Sequence, residues 1–138
     1  NQFKRMDSFI KMRNFNRNLI IKAICKHEKL KDKISFYESS KNVTPSWFGL
    51  SIKILSNAKQ NKRLIIKKLE QNGIETRPII SGNFAEQPAA IKYKLVKKQK
   101  FPNTDTVYKN SFFIGLPTKK INNRFLNKII SSFEKSFN

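Results

Sequence analysis

Apolar residues recur every three or four positions near the start of the chain. Phe3, Met6 and Ile10 begin this pattern, which continues to about Lys29. Spacing of this kind predicts a long amphipathic helix, since residues three and four positions apart share one helical face. Such a helix carries an apolar stripe that another surface has to cover.

The same spacing predicts two further helices. One runs to about Asn72 and can begin at a cap formed by Ser56 or Asn57. Gly73 follows directly and suits the left-handed residue that ends a helix. The other helix occupies the C-terminal end of the chain, with Thr118 as its expected cap.

Alternating and β-branched runs predict the strands. Polar and apolar positions alternate over residues 47–55, which predicts a strand with one buried face. Residues 74–80 and 107–116 are rich in strand-forming side chains and predict two more strands, and a short extended piece is expected at 34–36. Residues 85–102 have no clear period and hold two prolines, so we expect an irregular arm that can include a turn of helix.

Few strands beside several helices predict an α+β fold, with a mainly antiparallel sheet and helices on one side. The chain has 138 residues and no internal repeat, and this length is enough for one domain with a real core. We expect a single domain over residues 1–138. It would consist of a long helix over 1–29 and a sheet-and-helix body over 44–138.

The cysteine and histidine content narrows the chemistry. The single cysteine, Cys25, excludes an internal disulfide and suits a reducing compartment, so a cytoplasmic location is expected. With His27 as the single histidine, the chain lacks the usual ligands of a dedicated zinc site. No apolar stretch reaches the length of a membrane span, and no signal peptide is expected. Because the chain begins with Asn1, we expect it to be a piece of a longer protein.

The net charge of the chain is +20, from 29 Lys and Arg residues against nine Asp and Glu residues. A balance of this kind is typical of nucleic-acid-binding proteins, which gather the charge on one face beside aromatic side chains. Here the lysines occur in every segment, and many of the phenylalanines fall at core-like positions. We interpret the charge mainly as a solvated surface that attracts anionic substrates. A basic nucleic-acid-binding module remains the alternative.

One segment combines a charged strand residue with a polar turn. Arg77 lies on the predicted strand 74–80, and Ser81, Gly82 and Asn83 follow it. A guanidinium fork suits phosphate or carboxylate, Gly82 allows close approach of the backbone to a ligand, and Asn83 can both donate and accept. The residues alone also allow a plainer alternative, which is a surface arginine beside an ordinary turn.

Residues 73–93 resemble the corresponding segment of the DegT/DnrJ/StrS family of nucleotide-sugar aminotransferases. The likeness is nearest to sugar 3-dehydratases and lipopolysaccharide-sugar enzymes, which carry a similar Gly-Ile-x-x-Arg…Gly-Asn segment. Three further segments also resemble the family, and they occur in the same order along the chain. Residues 6–13 are similar to the helix after the catalytic domain, residues 45–50 to the Pro-Ser-Trp-Phe-Gly-Phe strand entry, and residues 103–116 to the final strand.

This resemblance implies the small C-terminal domain of a fold-type I aminotransferase, joined by its first helix to a large domain that binds pyridoxal or pyridoxamine phosphate. The implied substrate is a nucleoside-diphosphate sugar, and the intact protein is expected to be a homodimer. Arg77 would anchor a phosphate or orient the turn, while Ser81 and Asn83 would contact sugar hydroxyls. Ser-Gly-Asn stands where many transaminase relatives carry a histidine-bearing segment, which favours the dehydratase branch.

The resemblance also implies where the catalytic groups lie. In the family the cofactor lysine, replaced by histidine in the dehydratases, and the acidic partner of the pyridine nitrogen belong to the large domain. We therefore assign no catalytic, cofactor-binding or metal-binding residue to this chain. On its own the chain is expected to be inactive and to hold no cofactor.

Overall fold

The computed structural model describes residues 2–80, 82–95 and 100–138. A short 3-10 helix at Phe3–Arg5 leads into the first α-helix. The α-helices are α1 (Met6–Lys26), α2 (Lys62–Gln71), α3 (Pro88–Lys92), α4 (Pro102–Asn110) and α5 (Asn123–Phe137). The strands are β1 (Ile34–Phe36), β2 (Gly49–Ile54), β3 (Thr76–Pro78) and β4 (Ser111–Gly115).

The four strands form one antiparallel sheet in the order β1-β2-β4-β3. In the register, Leu50 and Thr76 both lie opposite Ile114, and Ile52 lies opposite Phe112. Since side chains alternate between faces along a strand, these residues share one face of the sheet. The predicted α+β fold with a mainly antiparallel sheet is confirmed.

The core lies between this face and the three longest helices. The α1 residues Ile20 and Ile24 are buried beside the strand side chains, as are Phe133 and Phe137 of α5. The apolar stripes that predicted these helices are therefore covered by the sheet and by one another. The expectation of helices on one side of the sheet is confirmed for α1, α2 and α5.

Helix α2 is bounded by two local signals, of which the sequence interpretation identified one. Gly73 adopts a left-handed φ of 79°, and the amide of Ile74 donates to the carbonyl of Leu69 at 3.0 Å, which closes the helix as predicted. The expected cap at Ser56 or Asn57 is wrong. The cap is Asn61, whose side chain accepts from the amide of Leu64.

The strand predicted over residues 107–116 is wrong in its first half. Residues up to Asn110 belong to α4, and only Ser111–Gly115 form β4. Pro102 in the first turn, where its missing N–H has no cost, is the local signal for this helix. The strand predicted over 74–80 is likewise reduced to Thr76–Pro78.

The arm over residues 85–102 has more structure than one helical turn. A 3-10 helix at Phe84–Glu86 is followed by α3 and then, after residues outside the described ranges, by the start of α4. Helix α4, which begins where this arm ends, contacts β2 and β4.

The C-terminal helix begins later than expected. Its cap is Asn122, which accepts from the amide of Phe125, so Thr118 is not the cap. The preceding segment is held in an irregular path by Asn16 of α1. The side-chain amide of Asn16 donates to the carbonyls of Pro117 and Lys119 at 2.9 and 2.8 Å, and its oxygen accepts from the amide of Ile121 at 3.1 Å.

Candidate functional site

A groove of about 820 Å³ lies where β2 begins and β4 ends, beside the first residues of β3. Helices α1 and α5 form its other walls. Its lining is mostly apolar, with three charged side chains, from Arg13, Glu75 and Arg77. A concave, largely apolar site with a few polar groups is the usual form of a small-molecule pocket.

Arg77 lies in this groove on the edge strand β3, opposite Phe113 in the register. Its Nε and Nη2 donate to one carboxylate oxygen of Glu75 at 3.0 and 2.6 Å. The two donors of Nη1 are not part of this pair. The Arg77 side chain is 65% exposed and that of Glu75 is 76% exposed.

The Arg77–Glu75 pair is easily displaced. Exposed ion pairs contribute about 0–1 kcal/mol, because water screens both charges. An incoming phosphate that accepts two parallel hydrogen bonds from the guanidinium can therefore compete with Glu75. The geometry is compatible with the anchoring role expected for Arg77.

Asn83 lies outside the groove lining and is buried. Its Nδ2 donates to the carboxylate of Asp105, and its Oδ1 accepts from the amide of Ala85 at 3.0 Å. Both ends of the amide are thus used to fix the turn that leads into the 3-10 helix. Its contact with sugar hydroxyls stays a prediction, as does that of Ser81, which lies outside the described residues.

Both the backbone conformation and the packing at position 82 favour glycine. Its φ of 52° lies in the left-handed region, and a Cβ built on it would clash with the ring of Tyr108 in α4. Gly82, in the turn after β3, is therefore packed against α4. Together with the contact between Asn83 and Asp105, this packing positions the strand that carries Arg77.

Arg13 is the groove residue that the sequence interpretation missed. It is half-buried on α1, its Nη1 lies 3.4 Å from Oγ of Ser46, and its Nε is buried with no partner among the described residues. A signal was available in the sequence. Residues 13, 17, 20 and 24 share one face of a helix, and arginine at two of these otherwise apolar positions marks a specific environment.

The contacts of Arg17 define that environment. Its side chain is buried, its Nη2 donates to the carbonyl of Tyr37 at 2.7 Å, and its guanidinium lies 4.3 Å from the ring centroid of Trp47. Nearby, Asn14 donates to the carbonyl of Pro45 at 3.1 Å. These contacts fix the segment before β2, so the start of that strand is held at the mouth of the groove.

Aromatic rings form part of the groove. Phe48 is 68% exposed and meets Phe113 edge to face, with ring centroids 5.7 Å apart. Phe125 of α5 is 45% exposed. These rings offer apolar area to a ligand at the place where Arg13 and Arg77 offer positive charge.

Lys62 lies outside the groove, and burial lowers the pKa of its ammonium group. It donates to the carbonyls of Tyr108 and Ser111, next to the junction of α4 and β4. This lysine therefore satisfies carbonyls at the end of a helix, which is a structural role. Within the described ranges, no three His, Cys, Asp or Glu side chains group as a metal site requires, and no helix has both the length and the apolarity to cross a membrane.

The model of the DegT/DnrJ/EryC1/StrS aminotransferase family matches residues 1–134. The chain is 27% identical over 138 residues to the lipopolysaccharide biosynthesis protein RfbH of Salmonella typhimurium, covering 99% of the chain and 30% of that protein. It is 28% identical over 115 residues to a GDP-4-keto-6-deoxy-D-mannose 3-dehydratase of Escherichia coli O55:H7, covering 83% of the chain and 28% of that protein.

Solved structures share the fold. An E. coli GDP-4-keto-6-deoxy-D-mannose-3-dehydratase with bound hydrated PLP superposes with a TM-score of 0.77 at 22% identity, over 99% of this chain and 33% of that one. A putative sugar aminotransferase from Streptococcus pneumoniae in its PMP form gives 0.79 at 17% identity, over 99% and 32%. The nucleic-acid alternative finds no support in these proteins. The chain spans about a third of the length of these proteins, and it belongs to the DegT/DnrJ/EryC1/StrS aminotransferase family.

Proposed function

We propose that this chain is the C-terminal part of a PLP- or PMP-dependent nucleotide-sugar enzyme, either an aminotransferase or a 3-dehydratase. The observation that carries the proposal is the family match over residues 1–134. The enzyme would act in deoxy-sugar, amino-sugar or lipopolysaccharide-sugar biosynthesis, which agrees with the names of the two relatives. We further infer a cytoplasmic homodimer, as expected for this family.

In this proposal residues 1–138 are the small domain of the enzyme. The helix within 1–29 links it to a large domain outside this chain, and residues 44–138 form the body that closes the substrate cleft. Support comes from the share of the solved structures that the chain covers, about a third in each case.

The cofactor belongs to the part of the enzyme outside this chain. An aminotransferase of this family would hold the cofactor with a lysine, a 3-dehydratase would have histidine in that place, and both would need an acidic partner for the ring nitrogen. When bound, the cofactor supplies an electron sink for the substrate. Among the described residues that line the groove there is no lysine, histidine or aspartate. We infer that this chain contributes to the substrate side of the site and does not hold the cofactor.

Arg77 is the residue to which we assign substrate contact, through a phosphate of the nucleotide sugar. Its place in the groove and its weak, exposed pairing with Glu75 support this role. Asn83 would act through the turn that it holds, in addition to any contact with sugar hydroxyls. Ser81 keeps the role expected from the family resemblance.

The test is a product assay on the intact protein that carries this chain. GDP-4-keto-6-deoxy-D-mannose, the sugar in the name of one relative, is supplied with PLP and L-glutamate, and the product is identified by mass spectrometry. A product that has lost one sugar oxygen identifies a 3-dehydratase, and a product with an amino group in place of the keto oxygen identifies an aminotransferase. No conversion of GDP-, UDP- or dTDP-linked 4-keto sugars would overturn the proposal.

A further inference from the structure

We propose that Arg13 is a second anion-binding residue in the groove, and that the groove takes the nucleoside diphosphate half of the substrate with its base against Phe48. This inference rests on the proposed function and refines it, because it names the part of the substrate that this chain binds. Arg13 would donate to a phosphate oxygen from the α1 wall.

The first argument is that the Arg13 side chain has few hydrogen-bond partners. Its Nε is shielded from solvent and has no hydrogen-bond partner among the described residues, while Nη1 has only a long contact with Ser46. A buried donor without a partner is destabilising, so its retention in a groove calls for an explanation. A guanidinium held by one weak contact, with donors remaining, is suited to the anionic oxygens of a phosphate.

The charge balance of the groove is the second argument. Glu75 is the one carboxylate among the described lining residues, and it is occupied by Arg77. No carboxylate in the described part of the chain forms an ion pair with Arg13. Two arginines and one glutamate give the groove lining a net charge of +1, and both guanidinium groups can face an anion once Arg77 leaves Glu75. A diphosphate carries the complementary charge.

The aromatic wall is the third argument. Phe48 contacts Phe113 in an edge-to-face arrangement, and a large part of the Phe48 side chain stays exposed in the groove. The face of a fixed, exposed aromatic ring can stack on a nucleobase whatever its identity. The volume of about 820 Å³ is within the range usual for small-ligand sites, roughly 300–1,000 Å³. Charge on one wall and an aromatic ring on another match the two ends of a nucleoside diphosphate.

The experiment measures the affinity of the intact protein for GDP by calorimetry at constant ionic strength. We expect Arg13→Gln to weaken GDP binding about tenfold, the loss of one charge-assisted contact. Arg63→Gln is the matched control, because Arg63 is exposed on α2, lies outside the groove and carries the same charge. An equal loss in both variants would mean that only the general positive field matters, and would overturn the inference.

The aromatic part is tested with Phe48→Leu and two probes. The variant should weaken GDP binding several-fold and leave inorganic pyrophosphate binding unchanged, because only GDP carries a base. Equal effects on both probes would overturn the placement of the base. If Arg13→Gln does not fold, Arg13→Met keeps the apolar stem and removes the charge and the donors, and unchanged GDP affinity in that variant overturns the role of Arg13.

The outcomes separate the two proposals. If the wild type converts a nucleotide sugar and Arg13→Gln binds GDP normally, this inference fails and the proposed function stands. If the wild type binds none of GDP, UDP or dTDP, this inference fails by itself. The product assay then decides on the proposed function independently.

Discussion

Asn16 joins two parts of the chain that lie 101 to 105 positions apart. It is fully buried, and all three of its hydrogen bonds go to backbone groups of the segment between β4 and α5. Pro117 in that segment lines the groove. A single amide on α1 thus sets the shape of one rim of the candidate site.

Replacing Asn16 should therefore destabilise the protein strongly. We expect Asn16→Ala to lower the free energy of unfolding by about 3 kcal/mol, because it leaves buried backbone donors and acceptors without partners. Urea unfolding followed by circular dichroism measures the change. The control is Asn18→Ala on the exposed side of the same helix, which should stay within about 0.5 kcal/mol of the wild type. Similar values for the two variants would contradict the role of Asn16.

Arg77 carries the prediction on substrate binding. Arg77→Gln should weaken nucleotide-sugar affinity about tenfold and leave stability nearly unchanged, because its side chain is exposed and its pair with Glu75 contributes little. Calorimetric titration of the intact protein gives the affinity, with Arg63→Gln again as the control. Unchanged affinity in Arg77→Gln would remove Arg77 from the binding site.

The two candidate-site arginines differ in how visible they are in the sequence. Arg77 stands beside a glycine-containing turn on a predicted strand, so local chemistry alone marks it as a candidate. Arg13 lies in a polar-rich helix, and its environment is created by Ser46 and the strand entry, which are far away in the sequence. The side-chain amide of Asn83 could bind a ligand or hold its own turn. Only the fold brings Asp105 within hydrogen-bonding distance of it.

The helices and strands show the same division between local and distant causes. The end of α2 at Gly73 was predictable because the signal lies within the helix end itself. The start of α5 was not, because Asn16 holds the four residues after Pro117 in an irregular path. The strand β3 ends at Pro78, which has no N–H to donate to the ladder.

The cap of α2 offers a direct comparison of the sequence interpretation with the structure. Asn61→Ala should lower stability by about 1 kcal/mol, because the amide of Leu64 loses its acceptor at the helix start. Asn57→Ala changes one of the two residues that the sequence offered as the cap, and it should have little effect because Asn57 is exposed and does not cap the helix. Thermal unfolding of both variants is the measurement. A larger loss for Asn57→Ala would mean that the helix begins earlier than Lys62.

The molecule as a whole is strongly basic, and one of its few carboxylates connects two separate segments of the chain. Glu134 of α5 accepts from Lys29 at 2.5 Å and lies 3.6 Å from Nε2 of His27, so it joins the last helix to the segment after α1. The hydrogen bond and charge of Lys29 lower the pKa of Glu134. The net charge, visible from composition, therefore does not show where single acidic residues connect helices.

This pKa shift predicts an acid-dependent loss of stability. A carboxyl whose pKa is lowered on folding contributes stability above its unfolded value, about 4.3 for glutamate, and loses that contribution as the pH falls through the lower folded value. Glu134→Gln should therefore flatten the decline of stability below about pH 4.3. Chemical unfolding at a series of pH values tests this. Glu86→Gln, at an exposed position in the 3-10 helix Phe84–Glu86, is the control, and an equal flattening in both variants would contradict this role of Glu134.

The sheet order has a consequence for how copies of the chain meet. Both edge strands, β1 and β3, are only three residues long, and β3 ends in a proline beside a charged arginine. Short edges that carry proline and charge offer few free backbone groups to a neighbouring strand, which disfavours intermolecular sheet growth. The chain can thus expose an apolar groove to a ligand while its sheet gives little template for fibril formation.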